Sequence, residues 1–284
     1  MKWQGYDNDA SRLQYRTDLT SGVAEHVAHY QKWSEEVVGR LSGHLDLAYG
    51  PAGPRQTLDV FPPSNDKAPI LIFIHGGYWY FNSKDPRRFP AETFNEQGIA
   101  WVPINYRLAA TANMDEIVED VRNAVAWVYE QADEYGCDRE QIYVSGNSAG
   151  GHLTAELISD NWPEKFGLPS DVIKGACAVS GLFDLEPLLQ CEPNEKLHME
   201  IDIAKRNSPI YHLSSASTSL IVTCGANESD EFIRQAAEYA EYCRECAFPV
   251  SHFTLPGHDH FSIIGEFANK DSRLFQELIS MIKG

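Results

Sequence analysis

The chain has 284 residues, of which 43% are hydrophobic, 23% charged and 11% aromatic. These are ordinary globular values, so they exclude a disordered or collagen-like chain, and the length allows a sizeable core without disulfide staples. Lys and Arg number 23 against 41 Asp and Glu, a net charge of −18, and the basic residues are scattered; even Lys84, Arg87 and Arg88 sit among aspartates. That distribution argues against nucleic acid and anionic membrane as partners.

Residues 1–40 are polar and aromatic (Trp3, Tyr6, Tyr15, Tyr30, Trp33), with spacing for one or two short helices. Residues 1–20 lack an apolar signal core, and no run reaches the roughly 18 apolar residues of a membrane span. HLDLAY (44–49) and TLDVF (57–61) read as strands around the turn 50–54. APILIFI (68–74) is a continuous apolar run of strand length, which suits a strand covered on both faces. A helix is predicted over 87–97, and IAWVPIN (99–105) is the next buried strand. Residues 114–135 carry apolar positions at helical spacing. IYVS (142–145) is a short strand, followed by helix 152–159. Strands 173–180, 219–224 and 249–255 alternate with helices 230–246 and 271–283. This alternation predicts one α/β layer sandwich over 1–284 with a mostly parallel sheet. The proline-punctuated stretch 184–215 interrupts it and reads as a small cap. The six cysteines are scattered, which predicts reduced thiols and a cytoplasmic setting. Cys243-x-x-Cys246 has redox spacing but lies in a helix-patterned stretch with no second pair, so it is read as incidental.

The strongest motif is Gly146-Asn147-Ser148-Ala149-Gly150-Gly151, between the strand IYVS and a helix. A serine at such a junction sits on a tight turn, and glycines two residues either side relieve the crowding. The turn lifts the Ser148 hydroxyl clear of the sheet's carboxyl edge, where ligands bind in open α/β sheets. The following helix N-terminus places the Ala149 N–H near an attacked carbonyl oxygen. A Gly/Ser-rich turn without chemistry would have the same local sequence, so the remaining machinery decides between them.

His75-Gly76-Gly77-Tyr78-Trp79 follows the apolar run and fits a loop that supplies oxyanion donors from Gly76 and Gly77. Tyr78, Trp79, Tyr80 and Phe81 then form an aromatic lip, a candidate pocket wall. His75 reads as a brace for its loop and His152 as buried packing. A nucleophile needs a base and the base an orienting carboxylate, in the order Ser, acid, His for this arrangement. Glu228 is favoured as the acid, with Asp230 and Glu231 competing as helix-opening residues. His260 is favoured as the base, with His258 as the alternative. A His-Asp-His metal site lacks any further ligand cluster, so no metal is expected.

Together HGGYW (75–79), NYRLA (105–109), EIVEDVRNAVAWV (116–128), GNSAGGHL (146–153), GANESDEF (225–232) and HDHF (258–261) resemble the α/β-hydrolase superfamily. The likeness is to its kynurenine-formamidase-like and hormone-sensitive-lipase-like esterases, over roughly residues 40–284. It implies an α/β-hydrolase fold, with helices on both faces of the sheet and 1–40 and 184–215 as cap elements. It implies Ser148 as nucleophile, Glu228 as acid, His260 as base, and Gly76, Gly77 and Ala149 as the oxyanion hole. Tyr78, Trp79 and Asn147 are then expected at the substrate pocket. Tyr78 stands where the lipase loop has a third glycine, and Asn147 where formamidase-like members often have His.

The activity expected is hydrolysis of small carboxylic esters through an acyl-enzyme, with aryl-formamide hydrolysis as the alternative and no cofactor. A homodimer is a further expectation. A non-catalytic binding protein on the same fold is the competing class, and the complete set of serine, acid, histidine and oxyanion loop weighs against it. Glu228, Asp230, Glu231 and Asp259 fall near the proposed loops, so anionic substrates are expected to react more slowly than neutral ones.

Overall fold

The run Ala68–Ile74 decides the architecture, because its side chains alternate between two covered faces. The structure is a computed structural model and describes residues 8–213 and 218–284, so Trp3, Tyr6 and the end of the 184–215 stretch lie outside it. Eight strands form one sheet: β1 (His44–Ala48), β2 (Thr57–Val60), β3 (Ala68–Ile74), β4 (Ala100–Ile104), β5 (Cys137–Asn147), β6 (Ile173–Val179), β7 (Ser219–Gly225) and β8 (Val250–Leu255). Their order is β1-β2-β4-β3-β5-β6-β7-β8. β1 and β2 pair antiparallel, as do β2 and β4, while β4-β3-β5-β6-β7-β8 is parallel throughout. Every strand read from the sequence is present.

The helices are α1 (Asn8–Gln14), α2 (Val23–Val38), α3 (Ala91–Glu96), α4 (Met114–Gln131), α5 (Ala149–Leu157), α6 (Trp162–Lys165), α7 (Asn194–Leu197), α8 (Ile201–Arg206), α9 (Asp230–Glu245) and α10 (Arg273–Lys283). On one face of the sheet Ile70, Ile72 and Ile74 share a core with Val121 and Val125 of α4, Leu153 of α5 and Tyr239 of α9. On the other, Leu71 and Phe73 pack with Phe94 of α3, Trp101, Phe267 and Leu274 of α10, with Tyr30 of α2 beside them. Phe73 stacks on Trp101 at 5.0 Å and meets Phe267 edge-on at 5.0 Å. None of the helices among the described residues is long and apolar enough to cross a membrane.

The boundaries differ from expectation where local chemistry intervenes. The predicted helix 87–97 is a 3-10 turn, Asp85–Arg87, followed by α3, because Pro86 and Pro90 each start a new helical segment. α4 starts at an Asn113 cap that accepts from the Glu116 N–H, while the Glu116 carboxylate accepts from the Asn113 N–H. This reciprocal box defines the first turn. It stops at Gln131, and Ala132–Tyr135 continue as a 3-10 turn before the left-handed Gly136. β5 begins at Cys137, five residues early, because the polar CDREQ stretch still pairs with β3 across an irregular register. α5 starts at Ala149, not His152, directly behind the serine.

The stretch from Leu185 carries 3-10 turns at Glu186–Gln190 and Pro209–Tyr211 around α7 and α8. α1 packs against its first turn, where Arg12 Nε donates to the Gln190 carbonyl at 2.6 Å.

Phe73→Ala is expected to cost about 3–5 kcal/mol of folding stability through a cavity between Trp101 and Phe267. Phe81→Ala, on an exposed ring, is expected to change it by less than about 0.5 kcal/mol. Urea denaturation of both variants checks this contrast.

Candidate active site

β5 enters the site by way of a turn that no ordinary residue pattern tolerates. Ser148 has φ 58° and ψ −122°, a strained conformation for a side-chain-bearing residue. Its N–H donates to the Val179 carbonyl at 2.8 Å, and its own carbonyl accepts from the His152 N–H at 3.0 Å. The first bond ties the turn to β6 and the second starts α5. A Cβ on Gly150 would lie 2.0 Å from the Ile74 carbonyl oxygen, and one on Gly146 would lie 2.4 Å from the Gly150 oxygen. Both glycines are therefore required by close approach of backbone to backbone. Ala149 opens α5, so its N–H is among the first four that have no partner within the helix.

The loop after β3 lies against this turn. A Cβ on Gly76 would stand 2.9 Å from Ser148 Cβ and 2.8 Å from the Asn147 carbonyl oxygen. His75 is fully buried: its Nδ1 pairs with the Gly76 carbonyl at 2.7 Å, its ring stacks on Tyr106 at 4.3 Å, and its carbonyl accepts from Tyr106 Oη at 2.9 Å. Burial pushes its pKa down to about 3, so it is neutral and holds the loop shape. Beyond Gly77, Tyr78 and Trp79 both take positive φ, 44° and 60°. The expected lip divides here. Phe81 is exposed and Tyr80 half-buried, whereas Tyr78 turns inward. Trp79, expected in the pocket wall, has no exposed surface: it belongs to the core, where its indole N–H donates to His152 Nδ1 at 3.2 Å. The other His152 nitrogen pairs with the Asn207 carbonyl at 2.7 Å. Asn147 is 3% exposed, and its Oδ1 has no hydrogen-bond partner.

β7 and β8 bring the acid and base candidates to the same carboxyl edge. Glu228 Oε2 pairs with His260 Nδ1 at 2.7 Å, with both side chains buried. Glu228 Oε1 accepts from the Gly225 N–H at 2.7 Å and from Ser180 Oγ at 2.5 Å. The two loops are also joined through the backbone, where the Asn227 N–H donates to the His258 carbonyl at 2.9 Å. Asp230 lies exposed in the first turn of α9, and Glu231 forms a forked pair with Arg234. His258 is partly exposed, its nearest carboxylate Glu266 at 3.8 Å. Ser148 and His260 are 4% and 5% exposed. A separate cavity of 710 Å³ opens between α1 and the Leu189–Glu195 stretch, and none of Ser148, Glu228 and His260 lines it.

One contributor escaped the sequence reading. Ser180, at φ 50° just past β6, holds the Glu228 carboxylate; its signal was a serine at the carboxyl end of a buried strand. Apart from the site, Glu156, one turn of α5 beyond His152, is buried; its Oε1 makes no hydrogen bond and lies 3.8 Å from His152 Nε2. All six cysteines are free thiols, with Cys246 exposed and the others buried.

The BD-FAE family model matches residues 58–240. The chain is 34% identical to a kynurenine formamidase of Danio rerio over 99% of this chain and 98% of that one. It is 28% identical to the esterase LipQ of Mycobacterium tuberculosis over 84% of this chain and 61% of that one. A Silicibacter crystal structure provisionally described as a thioesterase superposes with a TM-score of 0.81 at 28% identity, covering 95% of this chain and 98% of that one. An esterase of Pyrobaculum calidifontis superposes with a TM-score of 0.71 over 98% and 99% of the two chains; at 19% identity it bears on the fold alone.

Burial raises the Glu156 pKa from 4.5 to about 8, with Arg122 opposing and Asp160 and Asp115 adding to the rise. The unfolded carboxyl gives up its proton first, so stability falls as pH rises from about 4.5 to about 8 and levels off above. Glu156→Gln is expected to flatten that part of the pH–stability curve and to be the more stable protein at pH 9. Denaturation midpoints at pH 5, 7 and 9 measure this; parallel curves for the two proteins would contradict it.

Proposed function

Because the chain belongs to the BD-FAE family and has the α/β-hydrolase fold, we propose that it works as a serine hydrolase with Ser148 as nucleophile, His260 as general base and Glu228 as orienting acid. At the coarser level it is a hydrolase enzyme of the esterase and kynurenine formamidase type. The observation that carries the finer reading is the 2.7 Å contact between His260 Nδ1 and Glu228 at the carboxyl edge that also presents Ser148.

In this reading Glu228 fixes the imidazole with Nδ1–H toward the carboxylate, leaving Nε2 as the acceptor. Nε2 takes the Ser148 proton as Oγ attacks the substrate carbonyl. The Gly76, Gly77 and Ala149 N–H groups receive the developing oxyanion, each donor worth roughly 3–4 kcal/mol of the barrier. His260 then protonates the leaving alcohol or amine. A water activated by the same nitrogen releases the acid and restores Ser148. Glu228 cannot swing away during this cycle, because its second oxygen is held by Gly225 and Ser180. The described parts of the two cap stretches, 8–40 and 184–213, serve as the cap, and the free thiols support a reducing, cytoplasmic setting.

The substrate is a small neutral acyl compound. Likeness along the whole of a kynurenine formamidase weighs toward an aryl formamide, while the esterase relatives keep short aryl esters as the second reading. Both use the same steps, differing in whether nitrogen or oxygen leaves.

Ser148→Ala is expected to lower kcat by roughly 10⁴-fold or more with the fold intact by circular dichroism. Glu228→Gln is expected to lose roughly 10³-fold or more, and Asp230→Asn far less. Likewise His260→Ala should be crippling and His258→Ala mild; the reverse ranking in either pair reassigns the residue. A kcat/KM comparison of N-formylkynurenine with p-nitrophenyl acetate chooses between formamide and ester.

A further inference from the structure

The oxyanion loop grows from β3 and the acid loop from β7, with β5 and β6 between them. At about 4.8 Å per strand, their bases are roughly 14 Å apart. The sheet fixes those bases, and a segment distant in sequence joins the loops above them. Gln14 and Tyr15, at the end of α1, offer two consecutive backbone carbonyls. The Gln14 carbonyl accepts from Ser229 Oγ at 2.6 Å, one residue after Glu228. The Tyr15 carbonyl accepts from Tyr78 Oη at 2.5 Å, one residue after Gly77.

Both donors are committed to this task. Ser229 is the N-cap residue of α9, yet its hydroxyl makes no cap bond to that helix. Tyr78 sits at φ 44°, a strained backbone that needs an external hold. The Tyr15 side chain anchors the segment. Its hydroxyl donates to Glu231 at 2.8 Å and accepts from Gln235 Nε2 at 2.9 Å, and the residue is 1% exposed. Its ring meets Phe232 edge-on at 6.0 Å, and Phe232 lies 4.5 Å from the His260 imidazole.

We propose that Gln14–Tyr15 is a strap that sets the oxyanion loop in register with the acid and base loops, and that Tyr78 and Ser229 are positioning residues acting through it. The inference rests on the catalytic reading above. A misplacement of about 1 Å between oxyanion donors and base costs up to about a hundredfold in rate. Releasing either end of the strap therefore slows the chemical step rather than substrate binding.

The test is a double-mutant cycle with Tyr78→Phe and Ser229→Ala, read as kcat and KM on p-nitrophenyl acetate and as the rate of fluorophosphonate labelling. Among the described residues the side-chain hydrogen bonds of Tyr78 and Ser229 meet only at the strap, so effects that do not run through it would multiply. Each single variant is expected to lower kcat and the labelling rate about tenfold with KM within about threefold, and the double variant to lose about tenfold rather than a hundredfold. Ser229→Thr, which keeps the hydroxyl, should restore most of the rate. Multiplying losses, or wild-type kcat with only a lowered Tm, overturns the strap. If the wild-type chain does not label at Ser148, the catalytic reading itself falls and takes the strap with it; if it labels and both variants label equally fast, the strap alone fails.

Discussion

The turn at Ser148 is the constraint from which the rest of the site follows. Its positive φ presses the start of α5 against the end of β3, so closely that the Ile74 carbonyl occupies the space a Gly150 side chain would need. That contact fixes how near the Gly76–Gly77 loop comes to the serine, and the Ser148 bond to Val179 fixes the neighbouring strand. From β6 the chain of constraint runs on through Ser180 to Glu228 and from Glu228 to His260. The site is thus a series of backbone and side-chain contacts crossing five parallel strands, β3, β5, β6, β7 and β8.

What was legible in the sequence was whatever local burial writes into local pattern. The apolar run of β3 announced a strand covered on both faces, those of β4, β6 and β7 announced further strands, and the glycine spacing announced the turn between β5 and α5. The amino half of β5 was not legible, because CDREQ lies at the irregular end of its pairing and carries no apolar signature. Trp79 misled for a different reason: a residue on a loop tip beside a predicted catalytic motif reads as pocket lining, and only the position of His152 on α5 reveals a partner that draws it inward. The bonds from Gln14 and Tyr15 were invisible, since they reach residues 63 positions away at Tyr78 and more than 200 away at Ser229 and Glu231, and nothing near Tyr15 in sequence specifies Glu231.

The excess of acid changes meaning once its partners are known. Asp59 is buried between Lys84 and Arg88, Asp120 is held by Arg107, and Glu231 is held by Arg234 and Tyr15. Asp259 accepts the N–H groups of Phe261 and Ser262 in its own loop. Meanwhile Arg55 and Arg87 lie near His75, and among the described residues neither forms a salt bridge; burial pushes the Arg87 pKa down to about 10. An acidic molecule therefore keeps cationic groups behind the loop where negative charge is proposed to develop, and many of its carboxylates near the site are already committed to other bonds.

Tyr78, Trp79, Ser148 and Ser180 share one further property: all four are side-chain-bearing residues at positive φ, and all four stand at the carboxyl edge of the sheet. Each such residue costs on the order of 1–3 kcal/mol, held in place by its surroundings. Replacing any of them by glycine would relieve strain and at the same time remove a side chain: the proposed nucleophile at Ser148, the Glu228 partner at Ser180, the Tyr15 partner at Tyr78 and the His152 partner at Trp79. These positions therefore set stability and activity against each other, and selection for a hardier protein would have to look elsewhere in the fold for its gains.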